Sequence, residues 1–114
     1  MGTISTHILD ISRGKPAAAV NVSLEILNAG EGWSRLAQAQ TDEDGRVKAF
    51  ALSDPQLQAG TYRLVFAIAA YFEALNEKTF YPEVTVVFRL EGGSEHYHVP
   101  LLISPFGYST YRGS

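Results

Sequence analysis

The sequence contains no cysteine. Disulfides, thiolate nucleophiles and cysteine-rich zinc sites are therefore excluded, and the fold must be held together by packing alone. Charge is also sparse: 18% of the 114 residues are Asp, Glu, Lys or Arg, and the formal net charge is −3. The nine Lys and Arg residues are scattered singly, which leaves no basic patch to bind phosphates. Nucleic acid is not an expected partner.

Long apolar runs are missing as well. No stretch approaches the roughly 20 apolar residues that are needed to span a bilayer. The chain also does not open with a basic segment followed by an apolar one, the pattern of a secretory leader. We therefore expect a soluble, cytoplasmic protein without a membrane partner. A hydrophobic content of 46% over this length predicts one globular domain, residues 1–114.

Alternation of apolar and polar residues, which is typical of half-buried strands, recurs through most of the chain. It predicts eight strands, near residues 4–9, 20–27, 33–39, 47–50, 62–68, 84–90, 95–103 and 108–113. Glycine-containing turn signals separate them, and residues 69–78 alone predict a helix. Short strands joined by turns on a chain of this size predict an all-β sandwich.

The strand that contains the last two histidines has two apolar faces. Tyr97, Val99, Leu101 and Ile103 point one way, while His96, His98, Pro100 and Leu102 point the other way. If the first face packs on the opposite sheet, the second face also needs a cover. In a one-domain chain another subunit is the expected cover. The pattern thus predicts an oligomer with a site at the subunit boundary.

The three histidines, His7, His96 and His98, all lie on predicted strands. A single strand histidine is more often structural than functional. Three of them on faces away from the core, together with Arg46, favour a site. A neutral imidazole beside a guanidinium can deprotonate water while the arginine holds an anionic or enolate-like substrate.

A zinc site is the alternative interpretation of these histidines. His96 and His98 face the same way, and His7 could supply a third ligand. No cysteine or paired acidic ligand accompanies them, so a purely organic site is favoured over a metal site. A serine nucleophile is disfavoured, because the sequence has no Gly-x-Ser-x-Gly motif and no acid spaced to orient a histidine.

Four segments carry a resemblance to a known family. They are THILDISRGKPAAAV from Thr6, TDEDGRV from Thr41, FYPEVTVVF from Phe80 and HYHVPLLISPFGYSTYRGS from His96. Over essentially its whole length the chain resembles the 5-hydroxyisourate hydrolases, which are transthyretin-related enzymes of urate breakdown. The terminal YRGS is the most specific match, because this motif distinguishes these hydrolases from transthyretin, the hormone carrier that shares their fold.

The resemblance implies a transthyretin-like sandwich of two four-stranded sheets with one short helix. It also implies a homotetramer, a dimer of dimers, whose sites lie in a channel between the dimers. The family's functional positions fall on His7, Arg46, His98, Tyr111, Arg112, Gly113 and Ser114. The departure that we notice is Ile8 in place of the usual valine, which exchanges one apolar β-branched residue for another.

The family reaction is hydrolysis of 5-hydroxyisourate to 2-oxo-4-hydroxy-4-carboxy-5-ureidoimidazoline, through attack of water on a carbonyl of the six-membered ring. The resemblance implies that His7 and His98 orient and deprotonate the water. Arg46 would hold the substrate and stabilise the developing oxyanion, and Ser114 would help to close the pocket. No cofactor and no metal is needed for this chemistry.

Four further positions are expected to contact the substrate. Tyr111 would supply a hydrogen bond beside Ser114, and Arg112 and Gly113 complete the terminal motif. His96 shares a strand face with His98 and is placed with this group. The rival hypothesis is a non-catalytic carrier of transthyretin type, which binds a small aromatic ligand in the same channel. Such a carrier would not need His7, Arg46 and the terminal motif together.

Overall fold

The computed structural model describes residues 2–52, 57–93 and 95–114. The described residues form nine strands and one helix. In chain order these elements are β1 (Thr3–Asp10), β2 (Lys15–Pro16), β3 (Asn21–Leu27), β4 (Trp33–Gln40), β5 (Arg46–Val47), β6 (Gly60–Phe66), α1 (Ile68–Ala74), β7 (Val84–Leu90), β8 (His96–Ser104) and β9 (Gly107–Thr110). No helix among them is long and apolar enough to cross a membrane.

Two sheets face each other. One has the strand order β4-β3-β6-β7, and the other has the order β2-β1-β8-β9 with the short β5 added beside β1. The pairing of β1 with β8 is parallel, and the other strand pairs are antiparallel. The predicted β-sandwich with one short helix is confirmed.

The alternation on β8 is also confirmed. Tyr97, Val99, Leu101 and Ile103 are all buried in the core between the sheets. Matching apolar side chains come from the inner faces of β1, β3 and β6. The other face of β8 therefore points away from the core, and it is this face that carries His96 and His98.

The helix differs from its prediction at both ends. Ile68, which the alternation assigned to a strand, is the buried first residue of α1. The helix ends at Ala74 rather than continuing to residue 78, because Asn76 adopts a left-handed conformation with φ of 57°. Asparagine tolerates this conformation better than most residues and commonly ends helices.

A buried carboxylate ties α1 to the end of β1. Asp10 is fully buried, and its Oδ2 accepts a hydrogen bond of 2.8 Å from the Tyr71 hydroxyl. Its Oδ1 accepts hydrogen bonds from the amide and the hydroxyl of Ser12. Burial, followed by the hydrogen bond to Asp10, raises the pKa of Tyr71 above its ordinary value. The tyrosine thus stays protonated and remains a donor.

Replacing Tyr71 with phenylalanine would leave a buried carboxylate oxygen without this donor. We expect Tyr71→Phe to destabilise the protein by about 1–3 kcal/mol, measured by urea unfolding at fixed protein concentration. Tyr108→Phe removes a hydroxyl from a tyrosine that is 42% exposed, and serves as the matched control. Equal stability of the two variants would contradict the role given to the Asp10–Tyr71 hydrogen bond.

Candidate active site

The parallel pairing of β1 with β8 brings the two ends of the described chain together. Its register places Thr3 opposite His96, and Ser5 opposite His98. Alternate residues of a strand share a face, so these four side chains lie together on the face away from the core. His7, two residues after Ser5, lies on this face as well, beside the groove described below.

Arg46 reaches the same face through β5. The register of β5 with β1 pairs Arg46 with His7. The turn before it is held by Asp42, whose Oδ1 accepts hydrogen bonds of 2.9 Å and 3.0 Å from the amides of Asp44 and Arg46. Gly45 has φ of 74°, and a Cβ there would lie 2.5 Å from the carbonyl oxygen of Ile8. A glycine is therefore required to bring this turn against β1.

A groove of about 260 Å³ lies on this face. It is lined by Ser5, Thr6, Arg46, Val47, Lys48, His96, His98 and Ser114. Among the predicted catalytic residues, Arg46, His98 and Ser114 thus line one groove, and His7 is paired with Arg46 next to it. Two cationic side chains, Arg46 and Lys48, give the groove a positive potential that favours an anionic ligand.

Hydroxyl groups of β1 hold the two neighbouring imidazoles. Ser5 Oγ lies 3.0 Å from Nε2 of His96 and 2.7 Å from Nδ1 of His98. Thr3 Oγ1 hydrogen-bonds to Nδ1 of His96. The rings stack with 6.5 Å between their centroids and 16° between their planes. Nδ1 of His98 is therefore occupied by Ser5, and Nε2 is the nitrogen available to a ligand.

The environment keeps the half-buried His98 and His7 neutral. Burial lowers the pKa of His98, and the nearby charge of Arg46 lowers it further, with smaller contributions from His96 and His7. The pKa of His7 is lowered by the same two main causes, burial and then Arg46. A hydrogen bond to the backbone of Asp44 opposes that shift. Both imidazoles are thus unprotonated near neutral pH and can accept a proton.

The carboxy-terminal segment packs directly on His98. The amide of Gly113 donates a hydrogen bond of 2.9 Å to the carbonyl oxygen of His98. A Cβ at Gly113 would lie 2.6 Å from Cδ2 of His98 and 3.2 Å from Cγ of Pro100. The position thus has room for glycine alone, and its part in the site is to let the chain lie against the imidazole.

Tyr111 and Arg112 do not line this groove. They line a second cavity of about 140 Å³, whose other walls include Phe88, Tyr97 and His98. The Arg112 guanidinium lies 5.2 Å from the Tyr97 ring centroid and 3.9 Å from the Glu95 carboxylate. Within this chain the structure does not bring these two side chains into the groove, and their role as substrate contacts stays a prediction.

Three groups near the histidines were missed by the sequence analysis. These are Ser5 and Thr3, which bind the imidazoles, and Lys48, which lines the groove. The alternation of side chains along a strand could have found two of them, since Thr3 and Ser5 lie at alternate positions of β1 and share the face of His7. Sequence alone does not show which strand lies beside them.

The zinc interpretation gains no geometric support from the described part of the chain. Within it, no three side chains of the His, Cys, Asp and Glu types are arranged to hold a metal ion. His96 Nε2 and His98 Nδ1 both point to the Ser5 hydroxyl instead. These ring nitrogens are thus engaged in hydrogen bonds within the site.

Comparison with known proteins places this chain in a family. The model of the HIUase/Transthyretin family matches residues 4–113. The chain belongs to this family. It is 48% identical over 111 residues to the 5-hydroxyisourate hydrolase of Salmonella dublin, an alignment that covers 97% of the chain and 80% of that relative. It is 45% identical to the hydrolase of Caulobacter vibrioides, with full coverage of both chains.

Solved structures with the same fold include both a 5-hydroxyisourate hydrolase and a transthyretin. The Klebsiella pneumoniae 5-hydroxyisourate hydrolase superimposes with a TM-score of 0.83 at 40% identity, covering 98% of this chain and 99% of that one. Sea bream transthyretin, in complex with thyroxine, superimposes with a TM-score of 0.88 at 32% identity, covering 96% and 93%. The resemblance noted in the sequence is confirmed, and backbone similarity alone does not separate the two functions.

The charge of Arg46 is one cause of the low pKa values of two histidines. We therefore expect Arg46→Gln to raise the pKa of both His7 and His98, as followed by NMR titration of the imidazole protons. Arg35→Gln removes an equal charge from β4 in the opposite sheet and is the matched control. Unchanged titration of both histidines in Arg46→Gln would contradict the electrostatic argument.

The contact of Gly113 with His98 leads to a structural test. Gly113→Ala should displace the His98 ring or the terminal segment, because the new Cβ would lie 2.6 Å from Cδ2 of the ring, closer than van der Waals contact permits. Gly107→Ala is the control, since a Cβ there meets only Ser104 Oγ at 3.8 Å. A crystal structure of Gly113→Ala with both the ring and the terminus unmoved would show that the contact is not restrictive.

Proposed function

We propose that this protein hydrolyses 5-hydroxyisourate to 2-oxo-4-hydroxy-4-carboxy-5-ureidoimidazoline in urate degradation. The observation that carries the proposal is the convergence of His98, Arg46 and Ser114 on one groove, with His7 paired to Arg46. Relatives that are 45–48% identical over nearly the whole chain are named as hydrolases of this substrate. The positive groove suits the electron-rich ring system of that substrate.

The mechanism is a water attack assisted by imidazole. A neutral histidine, His98 or His7, takes a proton from water as the oxygen attacks the ring carbonyl. Arg46, which lines the same groove as His98, stabilises the oxyanion that forms. The ring C–N bond then breaks, and the histidine returns the proton to the departing nitrogen. The lowered pKa values of both histidines support this assignment, since the base must be unprotonated before the reaction begins.

We further propose that the protein acts as a homotetramer, a dimer of dimers with sites at the dimer–dimer interface. The groove lies open on the outer face of a sheet, and a second copy would close it against bulk water. Among the described residues, β9 and β7 end their sheets and offer edges for pairing. Tyr111 and Arg112 could then contact a substrate held by a neighbouring protomer. A cytoplasmic location stays a prediction.

A carrier of transthyretin type is the alternative function. It would need an apolar channel for an aromatic ligand, whereas this groove presents titratable and cationic groups. The imidazoles held by Ser5 favour acid–base chemistry over simple binding.

The decisive experiment is to generate 5-hydroxyisourate with urate oxidase and follow its ultraviolet decay with and without the protein. We expect acceleration that survives exhaustive chelation of metals. His98→Ala and Arg46→Ala should each lower turnover by roughly tenfold to a thousandfold, because each removes a group that acts in the transition state. Arg35→Ala, in the opposite sheet, is the control for loss of a surface charge.

Sedimentation of each variant would show whether the assembly persists, so that a loss of activity can be assigned to chemistry. Decay that the protein does not accelerate would reject the enzyme and leave the carrier. Loss of activity on chelation would favour the zinc interpretation. Unchanged turnover in His98→Ala would refute the role given to that histidine.

A further inference from the structure

Ser5 is a buried hydroxyl with two imidazole partners. It is 5% exposed, and its Oγ lies 3.0 Å from Nε2 of His96 and 2.7 Å from Nδ1 of His98. Thr3 hydrogen-bonds to the far nitrogen of His96. Thr3, His96, Ser5 and His98 therefore form a continuous row of hydrogen bonds, which we call the relay row. Its outer end is Thr3, next to the exposed His96, and its inner end is His98, which lines the groove.

The single proton of the Ser5 hydroxyl couples the two rings. With both imidazoles neutral, Ser5 donates to one of them and accepts from the other. When it donates to His96, His98 must carry its proton on Nδ1, and Nε2 is then a free base. When it donates to His98, that ring carries its proton on Nε2 and is an acid. The direction of one hydroxyl thus selects the form of His98 that faces a ligand.

We propose that Ser5 is a positioning residue for the hydrolysis, which sets the tautomer of His98 and connects this imidazole to solvent through His96 and Thr3. The inference rests on the proposed function, because it gives His98 the role of base. Ser5 is not among the catalytic or substrate-binding residues that the sequence predicts.

The proton balance of the relay is complete. Water gives a proton to Nε2 of His98, and the Nδ1 proton of that ring passes to Ser5. The Ser5 proton passes to Nε2 of His96, the Nδ1 proton of His96 passes to Thr3, and the Thr3 hydroxyl proton leaves to solvent. Every group ends neutral, and the hydroxide attacks the carbonyl. His98 then gives its Nε2 proton to the departing nitrogen, and the row refills from solvent in the reverse direction.

The charges around His98 show why such a row is useful. Arg46 and Lys48 line the groove, and His7 and His96 flank the ring from β1 and β8. The terminal segment contributes Gly113 at the ring edge and Ser114 in the groove. A proton stored on His98 would therefore sit among positive or potentially positive groups. Passing the charge outward along the relay row removes this repulsion.

The test compares Ser5→Ala with Ser5→Thr, which keeps a hydroxyl, and with Ser23→Ala, a half-buried serine of β3 in the opposite sheet. We expect Ser5→Ala to lower kcat roughly tenfold or more, with KM changed less than about twofold. Ser5→Thr should keep most of the activity, and Ser23→Ala should match the unaltered protein.

Solvent isotope effects distinguish a relay from a structural role. In mixtures of light and heavy water, a plot of kcat against the heavy-water fraction should be curved for the unaltered protein, because several protons move together. The dependence should become linear in Ser5→Ala. His96→Ala breaks the row at an exposed residue and should give the same linear dependence even if Ser5→Ala does not fold. The variant that carries both Ser5→Ala and His96→Ala should have a kcat no lower than that of Ser5→Ala alone, because both changes break the same row.

Nitrogen NMR of labelled imidazole rings tests the inference without the substrate. Ser5→Ala should change the tautomer populations of His98 and leave those of His7 unchanged. If the tautomers shift but the unaltered protein does not hydrolyse 5-hydroxyisourate, the proposed function fails while the coupling of the two rings stands. The inference would be overturned if Ser5→Ala kept the kcat, the curved dependence of kcat on heavy-water fraction and the His98 tautomer populations of the unaltered protein. It would also be overturned if His96→Ala kept that curved dependence.

Discussion

The site depends on the parallel pairing of β1 with β8. This pairing sets Thr3 opposite His96 and Ser5 opposite His98, and all later features of the site follow from that register. A shift of one residue would turn the side chains of one strand to the opposite face and separate the hydroxyls from the imidazoles. The buried side of both strands prevents such a shift, because it would also place polar groups in the core. Packing of the core therefore fixes the geometry of the chemistry.

Electrostatics and packing act together at His98. The ring is held on one edge by Ser5 and on another by the backbone position of Gly113, and Arg46 disfavours its charged form. A base that is neutral, oriented and adjacent to a cation suits attack by water on a carbonyl. In the described part of the chain, the opposite sheet contributes none of the residues that line the groove. In the proposed mechanism the chemistry is thus carried by one sheet, and the other sheet supports it through the core.

Much of this arrangement could be predicted from the sequence, because the alternation of side chains between the two faces of a strand is a local property. The buried face of β8 and the outward position of His96 and His98 follow directly from alternation. Ser5 could not be assigned in the same way, since its importance comes from a contact between residues 93 positions apart. The helix start was misplaced for a related reason: Ile68 continues the strand alternation, and only the packing of the helix on the sheet reveals the change.

The separation of β1 and β8 along the chain has a consequence for how the protein folds. Because the first and the eighth strands must meet, the imidazole and hydroxyl groups are assembled only after most of the polypeptide has been made and collapsed. Such long-range topology slows folding, and it leaves β1 without its parallel neighbour during synthesis. Catalytic competence is therefore a late event in folding, and its recovery after dilution from denaturant reports closure of the whole sandwich.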